Sequence, residues 1–294
     1  MQTDVLVIGC GPAGIQAAIH ASRKKASVIV VGKMSGSAIS DTKLDNYFGT
    51  GLTSGTELLQ KGKVQAEESG AVFIDENIIG ASADGSVYSF TLDGGDEIVA
   101  KSVVLAMGIS RLKLGLPGEK ELYGKGVSYC AICDCNFYRG RRAVIVGNES
   151  EAAVSAEMMT HYASETSWVF WEDTVNPKLV QKAEAAGVNI HRSKPVSIDG
   201  ADLVESITLE DGTKIPTDGA FIELGARSAV DVAMDLGVMP EVDDSIKVGR
   251  DCSTSVKGIF ACGDITGKPW QLAKAVGEGC VAGTSAATYA RSLE

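Results

Sequence analysis

The stretch Asp4-Val5-Leu6-Val7-Ile8-Gly9-Cys10-Gly11-Pro12-Ala13-Gly14 decides the fold of the first part of the chain. Its opening apolar run is typical of a buried parallel strand. A G-x-G-x-x-G turn follows, then a helical pattern through residues 15–22 and a second apolar strand at residues 27–31. This order of strand, glycine turn, helix and strand predicts a β-α-β unit of the dinucleotide-binding type.

Each glycine of this turn has a separate role in binding a dinucleotide. Gly9 permits the tight turn, Gly11 lets the backbone approach a pyrophosphate, and Gly14 lets the helix pack closely on the strand. The positive end of the helix dipole then faces the phosphates. One expected feature is missing, because Gly32-Lys33 replaces the acid that would bind a ribose hydroxyl after the second strand. The ribose must therefore be held in another way, or less tightly.

A second unit of the same type begins at Arg141-Arg142-Ala143-Val144-Ile145-Val146-Gly147, but its phosphate turn is degenerate. The following Asn148-Glu149-Ser150-Glu151 has no second glycine and puts two carboxylates at the helix start. Carboxylates there satisfy the helix N-terminus and repel a phosphate. The next strand ends in Trp171-Glu172-Asp173, with no arginine for a 2′-phosphate. We therefore predict a nucleotide-type fold without a phosphate site. The alternative is that Glu172 binds the ribose of NAD.

The stretch Cys130-Ala131-Ile132-Cys133-Asp134-Cys135 lies between these two units. Two thiols separated by two residues can close a small disulfide ring, and such a pair at a helix start has a lowered thiol pKa. A structural zinc site would need a second pair of ligands. The remaining cysteines and histidines show no ligand spacing: Cys10, Cys252, Cys262, Cys280, His20, His161 and His191. A redox dithiol is favoured, with zinc binding or two inert buried thiols as alternatives.

Two later segments add candidate cofactor contacts. Val72-Phe73-Ile74, Val87–Leu92 and residues 97–101 look like antiparallel strands, and residues 103–108 like a separate buried strand that ends in glycine. At such a glycine the backbone can pass close to a ring system. Residues 258–264 predict a strand ending in Gly263-Asp264, whose carboxylate can hydrogen-bond a ribityl or phosphate group, and residues 272–289 predict a helix. Simple strand termination and a capped terminal helix are the alternatives.

The overall composition limits the class of protein. A length of 294 residues allows two domains, and 45% hydrophobic residues with 34 glycines suit an α/β protein. A net charge of −11 argues against nucleic acid or an anionic membrane as a partner. No run reaches ~18 apolar residues, and no apolar leader precedes the first strand. The seven scattered cysteines fit a reducing cytoplasm better than a secreted disulfide scaffold.

Together these motifs resemble the low-molecular-weight thioredoxin reductase family of flavoproteins over nearly the full chain. Residues 9–14 resemble its FAD pyrophosphate loop, Asn46-Tyr47 its Asn-aromatic contact, and Ala106-Met107-Gly108 its Ala-Thr-Gly turn. Residues 126–134 resemble its redox signature. The resemblance implies FAD contacts by Gly9, Gly11, Pro12, Ala13, Gly14, Asn46, Ala106, Gly108, Gly263, Asp264 and Gln271.

The resemblance also implies an architecture and a reaction. The fold would be α/β with two Rossmann-like, three-layer domains: a discontinuous FAD domain (1–111 and 225–294) and a dithiol domain (112–224) with a degenerate NAD(P)-type fold. Cys133 would face the flavin, Cys130 would attack the disulfide of a thioredoxin-type protein, and Asp134 would exchange protons with them. The family is homodimeric. The chemistry of thiol–disulfide exchange agrees with these roles, since it needs one thiolate to attack and another to resolve the mixed disulfide.

The departures from the family concern the electron donor. NADPH-linked members have G-x-G-x-x-A and His-Arg-Arg where this chain has residues 147–152 and 171–173, and the segments 35–40 and 268–271 differ as well. These features resemble the pyridine-nucleotide-independent branch, which uses ferredoxin or a deazaflavin. We hypothesise a non-nicotinamide donor, ferredoxin first. Basic residues are the candidate docking patch, although an ordinary solvated face is an equal alternative: Lys113, Lys120, Lys125, Arg139, Arg141 and Arg142.

Other functions stay open beside this hypothesis. They are an NAD(P)H-dependent thioredoxin reductase, a flavin disulfide oxidase, a peroxiredoxin-coupled reductase, and a redox-inactive paralogue that keeps FAD as a scaffold. Intact Cys130, Cys133 and Asp134 disfavour the inactive paralogue. Cys135, unexpected for the family, is either a third exchanging thiol or an idle neighbour, and we expect the idle neighbour.

Overall fold

The computed structural model describes residues 1–40, 42–85, 87–108, 113–129, 131–224 and 229–293. The chain divides into two compact units. The first unit combines Met1–Ser110 with Arg227–Glu294, and the second is Arg111–Ala226. The first unit is therefore discontinuous, with the second inserted into it along the chain.

The described residues form α-helices, strands and short 3-10 helices. The N-terminal segment contains β1 (Gln2–Ile8), α1 (Pro12–Arg23), β2 (Val28–Val31), β3 (Lys43–Leu44), β4 (Thr53–Ser54), α2 (Gly55–Glu68), β5 (Ala71–Ile74), β6 (Ile78–Asp84), β7 (Val87–Leu92) and β8 (Glu97–Leu105). The middle segment contains β9 (Val127–Ser128), α3 (Ala131–Asp134), β10 (Arg142–Val146), α4 (Ser150–Met159), β11 (Glu165–Val169), α5 (Pro177–Ala185), β12 (Asn189–His191), β13 (Pro195–Asp199), β14 (Ser206–Leu209), β15 (Lys214–Pro216) and β16 (Gly219–Ile222). The C-terminal segment contains α6 (Ala229–Asp235), β17 (Ile259–Ala261) and α7 (Leu272–Arg291). Short 3-10 helices lie at Met34–Gly36, Cys135–Tyr138 and Asp264–Thr266.

The first unit is built on a sheet of order β5-β2-β1-β8-β7-β6. The strands β5, β2, β1 and β8 run parallel, β17 also pairs parallel with β8, and β7 and β6 continue the sheet antiparallel. Successive side chains of a strand point to opposite faces. Val5 and Val7 of β1 accordingly join the core formed with α1, α2 and α7, whereas Leu6 and Ile8 join the core that includes α6. Helices thus cover both faces of this sheet.

Two strand predictions for this unit were wrong. Residues 72–74 belong to β5, which pairs parallel with β2, because the crossover helix α2 returns the chain to the same end of the sheet. Residues 97–101 and 103–105 form one strand, β8, rather than two. Ser102 interrupts the apolar pattern, yet it is fully buried and its hydroxyl donates to the Gly258 carbonyl over 2.9 Å.

The second unit has a parallel sheet of order β12-β11-β10-β16-β9 and a separate antiparallel sheet of β13, β14 and β15. Strand order reverses at β1 in the first unit and at β10 in the second. In such doubly wound sheets, ligands bind at the carboxyl ends of the strands where the order reverses. The predicted α/β fold with Rossmann-like sheets is confirmed. Among the described residues, no helix is long and apolar enough to span a membrane.

Candidate active site

The turn between β1 and α1 contains one glycine with space above it and two that are tightly enclosed. A Cβ on Gly9, which has φ +114°, would lie 2.4 Å from the Ala106 carbonyl oxygen. A Cβ on Gly14 would lie 1.9 Å from the Gly9 carbonyl oxygen. Gly11, with φ −81° and ψ −177°, has an ordinary extended conformation. A Cβ there would meet only the Ser37 hydroxyl, at 3.4 Å. Packing therefore requires Gly9 and Gly14, whereas the space over Gly11 is free.

The N-terminus of α1 is open to an anion. Pro12 occupies the start of the helix, Gly11 at the N-cap offers no side-chain hydrogen bond, and the first turn contains no acid. The first backbone N–H groups of a helix have no partner inside the helix, and the helix dipole favours negative charge there. The local chemistry thus suits a phosphate.

The backbone at residue 32 explains why glycine stands where an acid would bind a ribose hydroxyl. Gly32 has φ +141°, and a Cβ there would lie 3.4 Å from both the Cys10 nitrogen and the Gly9 Cα. The Gly32 carbonyl accepts the Cys10 thiol proton over 2.9 Å. Burial, reinforced by the nearby Asp75, raises the pKa of Cys10 to about 12. Cys10 is therefore a packing thiol, and a side chain at residue 32 is disfavoured.

The C-terminal segment packs against this same turn. A Cβ on Gly263 would lie 2.8 Å from the Ala13 Cβ, so Gly263 contacts the start of α1. Gly279 and Gly283 of α7 also leave no room for a Cβ, because they lie against the carbonyl oxygens of Ala13 and Ala17 in α1. The absence of side chains lets the two helix backbones touch. This contact brings the predicted residues 263 and 264 beside the β1–α1 turn.

Asp264 carries a buried oxygen that lacks a partner. Its Oδ1 is buried and has no hydrogen-bond partner among the described residues. Burial raises the pKa of Asp264, Lys274 opposes this rise, and Glu278 adds to it. An unpaired buried carboxylate oxygen is costly and needs an explanation. A ligand hydroxyl would satisfy it.

Four further predicted contact residues lie in the same unit. The Asn46 side-chain nitrogen donates to Gln271 Oε1 over 3.4 Å, which joins two predicted residues 225 positions apart. Ala106 follows β8, and its carbonyl faces Gly9. Gly108 has φ +68° with nothing within 4 Å of a Cβ position. The structure thus brings Asn46 and Gln271 together and places Ala106 against Gly9.

The dithiol stretch follows β9 in the second unit. Cys130 lies outside the described residues, whereas Cys133 and Asp134 belong to the short helix α3. The Ser128 hydroxyl donates to Asp134 Oδ2 over 2.7 Å. This bond fixes the carboxylate that ends the redox helix. Cys135 is a free, buried thiol that donates to the Ile132 carbonyl over 3.4 Å.

Two buried carboxylates support this stretch, and sequence reasoning missed both. Glu223 Oε1 accepts the Ala131 backbone N–H over 2.8 Å. Glu119 Oε1 accepts the Tyr129 hydroxyl over 2.9 Å. Burial, followed by this bond to Glu119, raises the pKa of Tyr129. In the sequence, Glu223 follows an apolar run and Glu119 stands in the charged stretch 117–121, and both patterns are typical of solvated acids.

The turn between β10 and α4 contrasts with the turn after β1. A Cβ on Gly147 would lie 1.7 Å from the Glu223 carbonyl oxygen, so packing alone requires this glycine. The Asn148 side chain accepts the Trp171 backbone N–H over 2.9 Å, and the Thr174 hydroxyl donates to the Asn148 carbonyl. Glu149 is the N-cap of α4, and the buried Glu151 lies in its first turn. The carboxylates at the start of α4 oppose the binding of a phosphate there.

Comparison with known proteins identifies the family. The model of the family described as pyridine nucleotide-disulphide oxidoreductase matches residues 3–279. The chain belongs to this family. The predicted resemblance to low-molecular-weight thioredoxin reductases is also confirmed. The thioredoxin reductase of Bacillus subtilis (strain 168) is 33% identical to this oxidoreductase over 305 residues, covering 99% of this chain and 96% of the relative.

Solved structures of similar proteins cover the whole chain. The atypical thioredoxin reductase TRi from Desulfovibrio vulgaris Hildenborough is 34% identical, with a TM-score of 0.82 and 98% of each chain covered. A ferredoxin-flavin thioredoxin reductase from Clostridium acetobutylicum is also 34% identical, with a TM-score of 0.66 and 99% and 98% of the two chains covered. This pyridine nucleotide-disulphide oxidoreductase is thus a thioredoxin-reductase-like flavoprotein whose cofactor is FAD.

The residues of the first unit fit that cofactor on three structural counts. The free space over Gly11 admits a diphosphate to the backbone, and the uncapped start of α1 offers it N–H donors. The unpaired Asp264 Oδ1 offers an acceptor to a hydroxyl group. The predicted contact residues are those that would hold FAD, with the phosphates at residues 11–14 and a hydroxyl at Asp264.

Proposed function

We propose that this flavoprotein takes electrons from a donor other than NADH or NADPH, ferredoxin first, and passes them through Cys130 and Cys133 to the disulfide of a thioredoxin-type protein. Relatives named thioredoxin reductase support the acceptor. The similar structure named ferredoxin-flavin thioredoxin reductase supports the donor. The observation that carries the proposal is the difference between the two strand–helix turns of this one chain.

The two turns occupy equivalent places in their sheets but offer opposite chemistry. After β1, Gly11 faces free space and the first turn of α1 has no acid. After β10, Asn148 is bonded to the end of β11, Glu149 is the N-cap residue of α4 and Glu151 follows in the first turn. A phosphate would meet backbone donors in the first case and carboxylates in the second. The start of α4 is therefore unfavourable for the diphosphate of a nicotinamide dinucleotide.

The cation nearest the end of β11 is also engaged. Arg192 forms an ion pair with Asp173 at 2.5 Å, and its guanidinium lies over the Phe170 ring, 4.6 Å from the centroid. A 2′-phosphate would have to compete with Asp173 for this arginine. NADPH is disfavoured for this reason. Glu172 leaves NADH as the second candidate donor, since an acid here can bind a ribose.

The proposed chemistry of the second unit is thiol–disulfide exchange. The Cys130 thiolate attacks the partner disulfide and releases one partner thiolate, and the Cys133 thiolate then attacks Cys130 in the mixed disulfide and releases the second. The partner gains two electrons while Cys130 and Cys133 become a disulfide. Asp134, fixed by Ser128, transfers protons to the departing thiolates. When bound and reduced by the donor, FAD would supply the two electrons that restore the dithiol.

The proposal assigns FAD to the discontinuous first unit and the dithiol to the second. By family resemblance the protein is a homodimer. The docking surface for an acidic donor is narrower than the sequence predicted, because Asp218 binds the Arg142 guanidinium through its Nε at 3.3 Å and its Nη2 at 3.1 Å. The remaining candidates are Lys113, Lys120, Lys125, Arg139 and Arg141. Charge-steered docking predicts that electron transfer slows as salt concentration rises.

Anaerobic stopped-flow mixing tests the donor. The yellow protein is mixed with NADPH, NADH or reduced ferredoxin, while flavin absorbance and free thiols are followed. We expect rapid bleaching with ferredoxin and none with either nicotinamide. Dithionite serves as a positive control for a reducible flavin. Prompt bleaching by NADPH or NADH contradicts the proposal, and a colourless protein contradicts its flavin chemistry.

A matched variant separates the two halves of the reaction. Cys133→Ser should leave bleaching by the donor intact but abolish the appearance of new thiols. Oxygen consumption without a disulfide substrate would instead indicate a flavin oxidase. Reduction of a peroxiredoxin but not of thioredoxin would indicate a peroxiredoxin-coupled reductase.

A further inference from the structure

Two side chains of α7 hold the turn that contains Asp264. Glu278 Oε2 accepts the Gly263 backbone N–H over 2.9 Å and the Thr266 hydroxyl over 2.7 Å. Lys274 Nζ donates to the Gly263 carbonyl over 2.8 Å. Both polar groups of the Gly263 backbone are therefore bound by residues one helical turn apart on α7.

The Lys274 ammonium is fully hydrogen-bonded within this network. The Lys274 ammonium has three N–H donors, and they reach the Gly263 carbonyl, Thr266 Oγ1 at 2.7 Å and Glu278 Oε2 at 3.2 Å. The Thr266 hydroxyl accepts from Lys274, and its own proton lies within reach of Glu278 Oε2 at 2.7 Å and of the Gly263 carbonyl at 2.9 Å. The Lys274 and Glu278 side chains are only 16% and 26% exposed. Partial burial makes these charge-assisted bonds stronger than a surface ion pair.

Asp264 is the exception within the turn. Its neighbours Gly263 and Thr266 are bound by α7, but Asp264 Oδ1 is buried without a partner among the described residues. A network that satisfies the surrounding groups and leaves one acceptor unpaired fixes that acceptor for an external donor. The same turn contacts the start of α1 through Gly263 and Ala13.

We propose that Lys274 and Glu278 are positioning residues that hold the Gly263–Thr266 turn, so that the unpaired oxygen of Asp264 accepts a hydroxyl of the flavin cofactor. The inference deepens the proposed function and rests on FAD binding at this site. It assigns a role to a lysine and a glutamate that neither the sequence motifs nor the resemblance had selected.

The two residues act on Asp264 with opposite sign. Burial raises the pKa of Asp264, the Lys274 charge lowers it, and the Glu278 charge raises it. Both charges come from α7. On α1, which packs against the turn, the first helical turn has no acid, and the basic residues His20 and Arg23 lie in the last turn. An ionised Asp264 accepts hydrogen bonds, so FAD affinity falls as the pH drops through the pKa of Asp264.

The test measures the dissociation constant of FAD for apoprotein prepared from the holoenzyme, by flavin fluorescence across a pH series. Lys274→Met should weaken FAD binding about tenfold or more at neutral pH, since charge-assisted hydrogen bonds are lost. It should also move the pH at which affinity falls upward. Glu278→Gln keeps an acceptor oxygen for Gly263 and should move that pH downward. Lys274→Arg should restore most of the affinity.

A double-mutant cycle distinguishes positioning from general stabilisation. In an Asp264→Ala background, Lys274→Met should have a clearly smaller effect on FAD affinity, because the acceptor oxygen that the turn positions is gone. Lys61→Met is the matched control, since Lys61 forms an exposed i,i+4 pair with Glu57 in the same unit. It should leave FAD affinity unchanged.

The outcomes separate this inference from the proposed function. Equal affinity of Lys274→Met and wild type, or pH midpoints that move in the same direction in both variants, would overturn the positioning roles alone. Failure of the wild-type apoprotein to bind FAD would overturn the proposed function. If Lys274→Met does not fold, as judged by circular dichroism, Glu278→Gln and Lys274→Arg decide the question.

Discussion

Ser128 Oγ donates a 2.7 Å hydrogen bond to Asp134 Oδ2, which joins the end of β9 to the end of the redox helix α3. The two residues flank the Cys-x-x-Cys stretch on either side. The negative charge of Asp134, after burial, also raises the pKa of the nearby Tyr138. The carboxylate to which we assign proton transfer in the proposed mechanism is therefore anchored by a strand residue.

Ser128→Ala should slow the exchange of the reduced protein with a protein disulfide by about tenfold, because a hydrogen bond to a charged group is lost. Flavin reduction by the donor should not change. Single-turnover mixing with a thioredoxin-type disulfide measures the exchange rate, and Ser82→Ala, on an exposed strand position, is the control. An unchanged exchange rate would show that Asp134 needs no anchor.

Glu223→Gln should make the Cys130/Cys133 couple more oxidising. The Glu223 carboxylate is 5% exposed and binds the amide of the residue next to Cys130. Removing its negative charge favours the anionic thiolate of the reduced form, while the amide oxygen still accepts the Ala131 N–H. The reduction potential should rise by about 30 mV, a tenfold change in the equilibrium constant. Equilibration with glutathione buffers measures it, and a more negative value refutes the charge argument.

Gly11→Ala and Gly14→Ala form a matched pair with opposite expected effects. Alanine at residue 14 would clash with the Gly9 carbonyl and should lower the free energy of unfolding of the apoprotein by about 3 kcal/mol. Alanine at residue 11 has room in the apoprotein but blocks a diphosphate. Its unfolding free energy should not change, whereas FAD affinity should fall at least about tenfold. Urea unfolding and FAD titration check both, and loss of stability without loss of affinity in Gly11→Ala would contradict the free-space argument.

Asp264→Asn should stabilise the apoprotein while weakening FAD binding. Burial raises the pKa of Asp264 above its ordinary value of 3.8. The folded state thus resists ionisation, and this cost is fully present above the raised pKa and disappears below the ordinary one. The stability advantage of Asp264→Asn should therefore vanish as the pH falls below that ordinary value. Urea unfolding of both proteins at a series of pH values measures this advantage. A difference in unfolding free energy that does not depend on pH would show that ionisation of Asp264 is not its cause.

Cys135→Ser should leave disulfide turnover within about twofold of wild type. The Cys135 thiol is buried and donates to the Ile132 carbonyl, a bond that a serine hydroxyl can also make. A buried thiol of this kind acts in packing rather than exchange. Turnover of a protein disulfide measures the effect. A large loss would establish a third exchanging thiol.

The local sequence was sufficient to predict where strands and glycine turns lie, but not how the strands pair. The strands and glycine turns at residues 4–14 and 142–147 were predictable, because apolar runs and glycine spacing report local backbone preference. The direction of β5 was not, because the same apolar pattern suits a parallel and an antiparallel neighbour. The single strand β8 was also missed, because Ser102 breaks the pattern and its partner, Gly258, lies far along the chain.

The candidate site shows the same division. Asp264 was recognisable in the sequence as part of a Gly-Asp strand end, but Lys274 and Glu278 resembled an ordinary i,i+4 surface pair. Only their burial and their bonds to Gly263 distinguish them. Similarly, Glu149 was visible as a helix-start acid, while the bond from the Trp171 amide to Asn148 required the folded sheet.

The sequence by itself determined the two strand–glycine–helix units, the Cys-x-x-Cys stretch and the loss of the second phosphate turn. These depend on residue type and short spacing, which act through local backbone conformation and local charge. Only the tertiary structure decided that Gly263 contacts the start of α1, that Glu223 binds the Ala131 amide 92 residues away, and that Asp264 keeps an unpaired oxygen. Such relationships follow from the packing of distant segments, and burial there determines the free energy of each polar group.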